Sequence, residues 1–374
     1  MFGGGGGGVG GTMIKYLGSK RTLLPVILEA VSGIAGATSV IDLFSGTSRV
    51  GHALKRAGYR VISNDHNTYA ATLARCYVQA DAEEVLADAA SLIAELNTIP
   101  GSPGYFTDTF CTQSRFVQPR NGARIDAIRD AIAAKSLPPE LESVLLVALM
   151  EAADRVDSTT GLQMAYLKSW SPRSFNALEL RLPEVLARAT HGKGLATSLD
   201  ALEAARQFEA DVAYIDPPYN QHSYLGNYHV WESLVRWDKP AVYGIACKRV
   251  DVRERQSVFN SRPRCAAALR KVLSALRARV LIVSFSNEGY IPRAEMETLL
   301  TSLWDGAGRV TTIENDFKRY VGARIGIYSP QGEKVGKVGH LTNKEYLYIV
   351  SRPDVQPMAK RRKASKSKPS AVRT

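Results

Sequence analysis

The chain has 374 residues, a net charge of +12, and 45% hydrophobic and 22% charged residues, the proportions of a soluble globular protein with room for about two domains or one large domain carrying an insertion. Its four cysteines, Cys76, Cys111, Cys247 and Cys265, show no CxxC or CxxH spacing, which excludes a zinc finger and a disulfide framework and fits a reducing interior. The longest apolar stretch, VLLVALMEAA from Val144, contains Glu151 and is far too short to span a bilayer, so it predicts a buried helix and no membrane partner.

In chain order, the opening MFGGGGGGVGGT has neither the basic region nor the apolar core of a secretory signal, and its six consecutive glycines cannot offset the entropy of ordering them. Residues 1–12 are therefore expected to be a flexible leader. TSVIDL (38–43) reads as a strand, FSGTSRVG as a glycine turn and HALKRAG, ending at Gly58, as a helix. YRVISND repeats the strand pattern and ends in Asn64-Asp65, and NTYAATLARCYVQA reads as the next helix. Two consecutive βα units predict a parallel sheet that binds ligands at the carboxyl ends of its strands. From 81 to 195 the alternation gives way to helical stretches separated by polar, Pro/Gly-bearing segments, which reads as a mainly helical insertion. Strands return at GLATSLD, DVAYIDPP, RVLIVSFSN, RVTTIENDF and KEYLYIV, with helices predicted at 227–237, 263–279 and 293–303. After residue 350, Arg352, Lys360, Arg361, Arg362, Lys363, Lys366, Lys368 and Arg373 stand against Asp354, a net +7. This tail, 351–374, predicts disorder and favours a polyanionic partner.

The first turn has the GxxxxG spacing of a phosphate loop between Gly46 and Gly51, but His52-Ala53 stand where such a loop needs a lysine and a hydroxyl. It does not match GxGxxG either, so neither a nucleoside triphosphate nor a dinucleotide is favoured. Asp42 flanks the turn at the strand end, and Asp65 lies 23 residues later, where doubly wound folds place an acid on ribose hydroxyls. The strand DVAYI ends in Asp216-Pro217-Pro218-Tyr219. The prolines stiffen the exit from the sheet and aim the Asp216 carboxylate and the Pro217 carbonyl at one point, which suits an amino group carrying two hydrogens. Tyr219 offers a flat face to a planar ring. Acceptors on both N–H groups of a delocalised aromatic amine would favour its attack on an electrophile.

With Lys15-Tyr16-Leu17-Gly18-Ser19-Lys20, DLFSGTSRVG, Asp65, a long insertion and DPPY in that order, the chain resembles the Dam-like, D12-class (α-group) DNA adenine-N6 methyltransferases over about residues 13 to 350. The resemblance implies an α/β fold: a Rossmann-like, S-adenosylmethionine-dependent methyltransferase sheet in which 13–80 and 196–350 form the catalytic domain and 81–195 an inserted target-recognition domain. It implies S-adenosylmethionine as cofactor, contacted by Tyr16, Lys20, Asp42, Phe44, Ser45, Gly46 and Thr47, with Asp65 on the ribose and Asp200 near the adenine. Asp216, Pro217, Pro218 and Tyr219 would hold a target adenine flipped out of the duplex. Arg115, Arg120, Asn121 and Arg124 in the insertion, and Lys318, Arg319 and Arg324 in the basic segment 316–340, have the residue types that contact DNA. NQHSYLGNYHVW (220–231) would be a loop closing over the base. No metal is implied, and His222 and His229 read as polar loop or helix residues. The implied activity is sequence-specific methylation of adenine N6 in double-stranded DNA, with a cognate restriction endonuclease as candidate partner and a cytoplasmic, DNA-associated location. An RNA adenine-N6 methyltransferase and a non-catalytic DNA-binding relative are the alternatives. Protein-directed relatives usually carry Asn before Pro-Pro, and Asp216 argues against them.

Overall fold

A computed structural model describes residues 13–16, 20–318 and 342–355, leaving the glycine leader, Leu17-Gly18-Ser19 of the Lys15–Lys20 segment, residues 319–341 and most of the basic tail outside the described residues. The strands are β1 (Ser39–Asp42), β2 (Arg60–Asn64), β3 (Leu195–Thr197), β4 (Val212–Ile215), β5 (Val242–Tyr243), β6 (Lys248–Arg249), β7 (Val280–Ser286), β8 (Arg309–Lys318) and β9 (Thr342–Ser351). All but the small β5–β6 hairpin join one sheet in the order β3-β2-β1-β4-β7-β9-β8. β4 and β7 are buried along their whole length, as expected of parallel strands covered on both faces. Ile41 lies opposite Ile62 on one side and Ala213 on the other, and Ala213 opposite Leu281.

The parallel expectation holds from β3 to β7. It does not extend to the last two strands, because β9 runs antiparallel to both β7 and β8 and inserts between them. The chain order reverses between β1 and β4, the switch point at which a cleft opens beyond the strand ends.

Residues alternate between the two faces. Val40, Val61, Val212 and Ile282 pack with Ile27 and Val31 of α1 (Leu24–Ser32) and Leu54 of α2 (Arg49–Arg56). Ile41, Ile62, Ala213 and Leu281 pack on the other side with α7 (Ala201–Gln207), α10 (Arg262–Ala275) and α11 (Arg293–Thr301).

Between β2 and β3 lie α3 (Thr68–Ala74), a π-helical turn (Arg75–Gln79), α4 (Ala82–Thr98), a second π-helix (Thr107–Gln113), α5 (Pro119–Ala134) and α6 (Pro139–Arg155). No strand occurs there among the described residues. Thirteen residues of α6 are buried, which accounts for the apolar stretch at Val144, and no described helix is long and apolar enough to cross a membrane. The insertion shares one core with the sheet's own helices: Phe106, Phe110, Val147 and Met150 pack in the cluster that holds Tyr69 and Leu73 of α3 and Trp231 and Leu234 of α9 (His229–Arg236).

The expected closing loop at 220–231 requires correction. Only 220–223 is irregular; α8 (Tyr224–Asn227) and α9 follow at once, and Leu225, Tyr228, Val230 and Trp231 are buried. Of its aromatic side chains, Tyr228 and Trp231 serve the core, while Tyr224 is only partly buried. His229 is fully buried, its Nε2 paired with the Gln163 carbonyl oxygen at 2.9 Å, and burial lowers its pKa to about 3, which leaves a neutral core imidazole.

Candidate active site

β1 delivers Asp42 to the sheet's carboxyl edge, where its Oδ2 accepts the Gly51 N–H at 3.2 Å and closes the turn into α2. The turn needs glycine at 46, since φ is +50° there and a Cβ would sit 3.3 Å from the Tyr16 ring. β2 delivers Asp65, which accepts the Gly46 N–H at 3.0 Å through one oxygen and the Asn67 N–H at 2.9 Å through the other. Tyr16 stacks on Tyr228 at 4.5 Å and Tyr224 at 5.3 Å, with its hydroxyl 3.2 Å from that of Tyr69. Phe44 meets the ring of Phe259 edge-on at 5.2 Å. Asp200 caps α7 by accepting the Leu202 N–H at 2.9 Å.

β4 leads directly into Asp216, whose Oδ1 lies 3.1 Å from Lys20 Nζ. The same ammonium donates to Oε1 of Glu345 from β9, which also accepts the Ser284 hydroxyl at 3.0 Å. Pro217 is buried. Tyr219 packs edge-on against Phe285 at 5.9 Å, and its carbonyl accepts the Tyr290 N–H at 2.9 Å. Asn260 Nδ2 donates to the carbonyls of Asn220 (2.6 Å) and His222 (3.1 Å), fastening the loop after Tyr219.

These elements enclose a cavity of about 280 Å³. Tyr16, Lys20, Asp42, Phe44, Ser45, Gly46, Thr47, Asp65 and Asp200 all line it, together with Asp216 and Pro218. Pro217 and Tyr219 are not among the residues that line it. Sequence reasoning missed Asn64, Asn67, Leu199 and the whole run Arg255–Asn260 on the cavity wall. Glu345, behind Lys20, carried no motif either.

Burial raises the pKa of Asp42 to about 8, with the neighbouring Asp216 and Asp65 adding to it. Burial also raises Asp65. Asp216 is raised by burial, which Lys20 opposes and Glu345 reinforces. For Lys20, burial alone would lower the ammonium, but Asp216 and Glu345 outweigh it and the pKa rises. Four aspartates, Asp42, Asp65, Asp200 and Asp216, line one cavity beside Lys20, Arg49 and Arg255, and the ionised carboxylates among them favour a cationic ligand. The Ser45 hydroxyl, buried in the turn with no protein partner, is a free hydrogen-bonding group for it. The site therefore fits S-adenosylmethionine, a sulfonium cation with ribose hydroxyls and a planar base.

The candidate DNA-contact residues of the insertion lie away from this cavity. Arg115 donates to the Lys168 carbonyl at 2.8 Å and covers the Trp170 ring at 4.7 Å. Arg120 donates to the Phe175 carbonyl. Asn121 is buried, with its amide joined to the Asn176 carbonyl (2.9 Å) and the Leu178 N–H (3.1 Å). Arg124 donates to the carbonyls of Ile99 (2.5 Å) and Asn97 (3.0 Å). The Lys318 side chain, Arg319 and Arg324 lie outside the described residues. All four cysteines are free and buried, and no metal-binding cluster occurs among the described residues.

The family described as D12 class N6 adenine-specific DNA methyltransferase matches residues 16–286. Among curated proteins, the modification methylase StsI of Streptococcus sanguinis is 28% identical over 77% of this chain and 46% of its own length. The type II methyltransferase M.FokI of Planomicrobium okeanokoites is 29% identical over 77% of this chain and 47% of its own. The type II methyltransferase M.NlaIII of Neisseria lactamica is 24% identical over 91% of this chain and 99% of its own. The chain thus spans about half the length of the first two and nearly all of the third.

Proposed function

Because the chain belongs to the D12 class N6 adenine-specific DNA methyltransferase family, we propose that it methylates adenine N6 at a specific sequence in double-stranded DNA, with S-adenosylmethionine as donor. The carrying observation is that Asp216-Pro217-Pro218, at the end of β4, and the Asp42–Thr47 turn, at the end of β1, meet across the switch point, and that Asp216, Pro218 and the turn line one cavity. When bound, S-adenosylmethionine supplies an electrophilic methyl group on a sulfonium.

Tyr16, Ser45, Gly46, Thr47 and Asp65 would hold the cofactor at the turn, and Asp200, Leu199 and Phe259 would enclose its base. Asp216 accepts an N–H of the target amine, draws the nitrogen toward tetrahedral geometry and takes the proton that N6 loses. N6 is engaged in base pairing within the duplex, so the adenine is flipped into the cavity beside Tyr219. The relatives' names link them to modification, and a cognate restriction endonuclease is the partner this reading suggests.

The test is transfer of labelled methyl to duplex DNA, duplex RNA and protein. Wild type is expected to label DNA at adenine N6, and Asp216→Ala to lose at least about 100-fold in kcat while still binding S-adenosylmethionine. Label in RNA or protein alone, or an active Asp216→Ala, would overturn the reading.

A further inference from the structure

Resting on the reading of Asp216 as acceptor for the target amine, we propose that Glu345 is a positioning residue that draws the Lys20 ammonium partly away from Asp216 and so keeps the Asp216 carboxylate a strong acceptor. Lys20 Nζ bridges Asp216 Oδ1 at 3.1 Å and Glu345 Oε1. The side chains of Lys20 and Glu345 are each 9% exposed and that of Asp216 19%. Two carboxylates against one ammonium leave a surplus negative charge, and it reaches the cavity through Asp216, the more open of the two.

A bridge meant only to fasten Lys20 would need one carboxylate. Burying a second one is costly, and the one ammonium that the two share offsets that cost only in part. Ser284 on β7 fixes Glu345 by donating to the same Oε1 that Lys20 contacts. Glu345 itself arrives on the antiparallel strand β9, 325 residues from Lys20.

The other titratable groups facing Asp216 are Asp42 from β1, Tyr214 from β4 and Tyr219 and Tyr224 beyond it, with Glu288 beside Tyr219. Arg49 and Arg255 share the cavity with Lys20, and among the described residues Lys20 is the cation paired with Asp216. The balance on Asp216 is therefore set by burial and by the opposed pull of Lys20 and Glu345. With Glu345 neutral, Lys20 would commit to Asp216 and hold it as a weaker acceptor.

The test compares wild type, Glu345→Gln and Glu345→Asp by two readouts. The first is the titration of the Asp216 carboxyl by carbon NMR in ligand-free protein; the second is the pH profile of kcat at saturating duplex DNA and S-adenosylmethionine. Glu345→Gln should lower the Asp216 midpoint by about one unit and kcat about tenfold. The acid limb should move to lower pH, with KM for DNA changed less than about twofold. Glu345→Asp, which keeps the charge at a shorter reach, should fall between, and it decides the matter if the glutamine variant does not fold. An unmoved midpoint, or a loss of kcat with no shift in either pH readout, overturns the proposal. If wild type transfers no methyl to adenine, the functional reading fails, and the NMR titration alone then judges the role of Glu345.

Discussion

Asp42 is 1% exposed, accepts one backbone hydrogen bond and faces Asp216 and Asp65. In the unfolded chain an aspartate titrates near 3.9, whereas the folded protein holds this proton until about pH 8. The folded state therefore binds more protons throughout that window. The stability present below about pH 4 is lost as pH rises to about 8, by at most roughly 1.4 kcal/mol per pH unit. Asp42→Asn removes the titration at little cost in shape. In urea unfolding of ligand-free protein, the stability of Asp42→Asn over wild type is expected to grow from pH 5 to pH 8; a difference independent of pH would contradict this account. A cation in the cavity reverses the logic, because it favours the ionised carboxylate. The same variant is thus expected to bind S-adenosylmethionine more weakly, measured by calorimetry. Asp42 and Asp216 were legible in the sequence because each ends a short β-branched run. The Lys20–Glu345 pair was not, since only the folded sheet brings those two positions together.

At the scale of elements, the turn from β1 into α2 is held by close packing as well as by its backbone angles. A Cβ on Gly51 would lie 2.7 Å from the Ser63 Oγ and 2.9 Å from the Val78 Cγ2, so α2 sits against β2 and the first π-helical turn with no room for a methyl group. Gly51→Ala is expected to destabilise the protein by about 1–3 kcal/mol, read from urea midpoints; an unchanged midpoint would show that α2 can shift outward freely. The Gly46/Gly51 spacing was readable as a turn, and the Val/Ile runs as strands, because both signals are local. The wall formed by Arg255–Asn260 was not readable. It is a polar stretch ahead of α10 with no motif, and it reaches the cavity through anchors distant in sequence: Arg255 on Glu232 at 2.9 Å, Phe259 on Phe44 and Asn260 on the loop after Tyr219. The aromatic run after Tyr219 misled for the opposite reason, since tyrosine and tryptophan there mark packing of α8 and α9 against Tyr16 and the α3–α6 core.

Across the whole molecule, the helical insertion was legible from its loss of βα alternation, while its shared core with α3 and α9 was not, because a contact between elements separated by such distances leaves no periodicity behind. That shared core reaches Tyr16 on the cavity wall through Tyr69 of α3 and through Tyr228, which precedes α9, so a duplex bound by the insertion would be held in fixed relation to Asp216. Charge is distributed less evenly than the fold. Residues 356–374 contain Lys360, Arg361, Arg362, Lys363, Lys366, Lys368 and Arg373 and no acidic residue, seven of the twelve net positive charges. If these side chains neutralise phosphates, each released counterion adds about 0.9 to the slope of log affinity against log salt. Removing 356–374 is therefore expected to flatten that slope by several units for non-specific duplex DNA, measured by fluorescence anisotropy over a salt series. Methyl transfer at the recognised sequence in low salt should persist, because every residue that lines the cavity lies upstream of the deletion. An unchanged slope would mean that the tail does not touch DNA and that the body, with five net positive charges, carries the duplex alone.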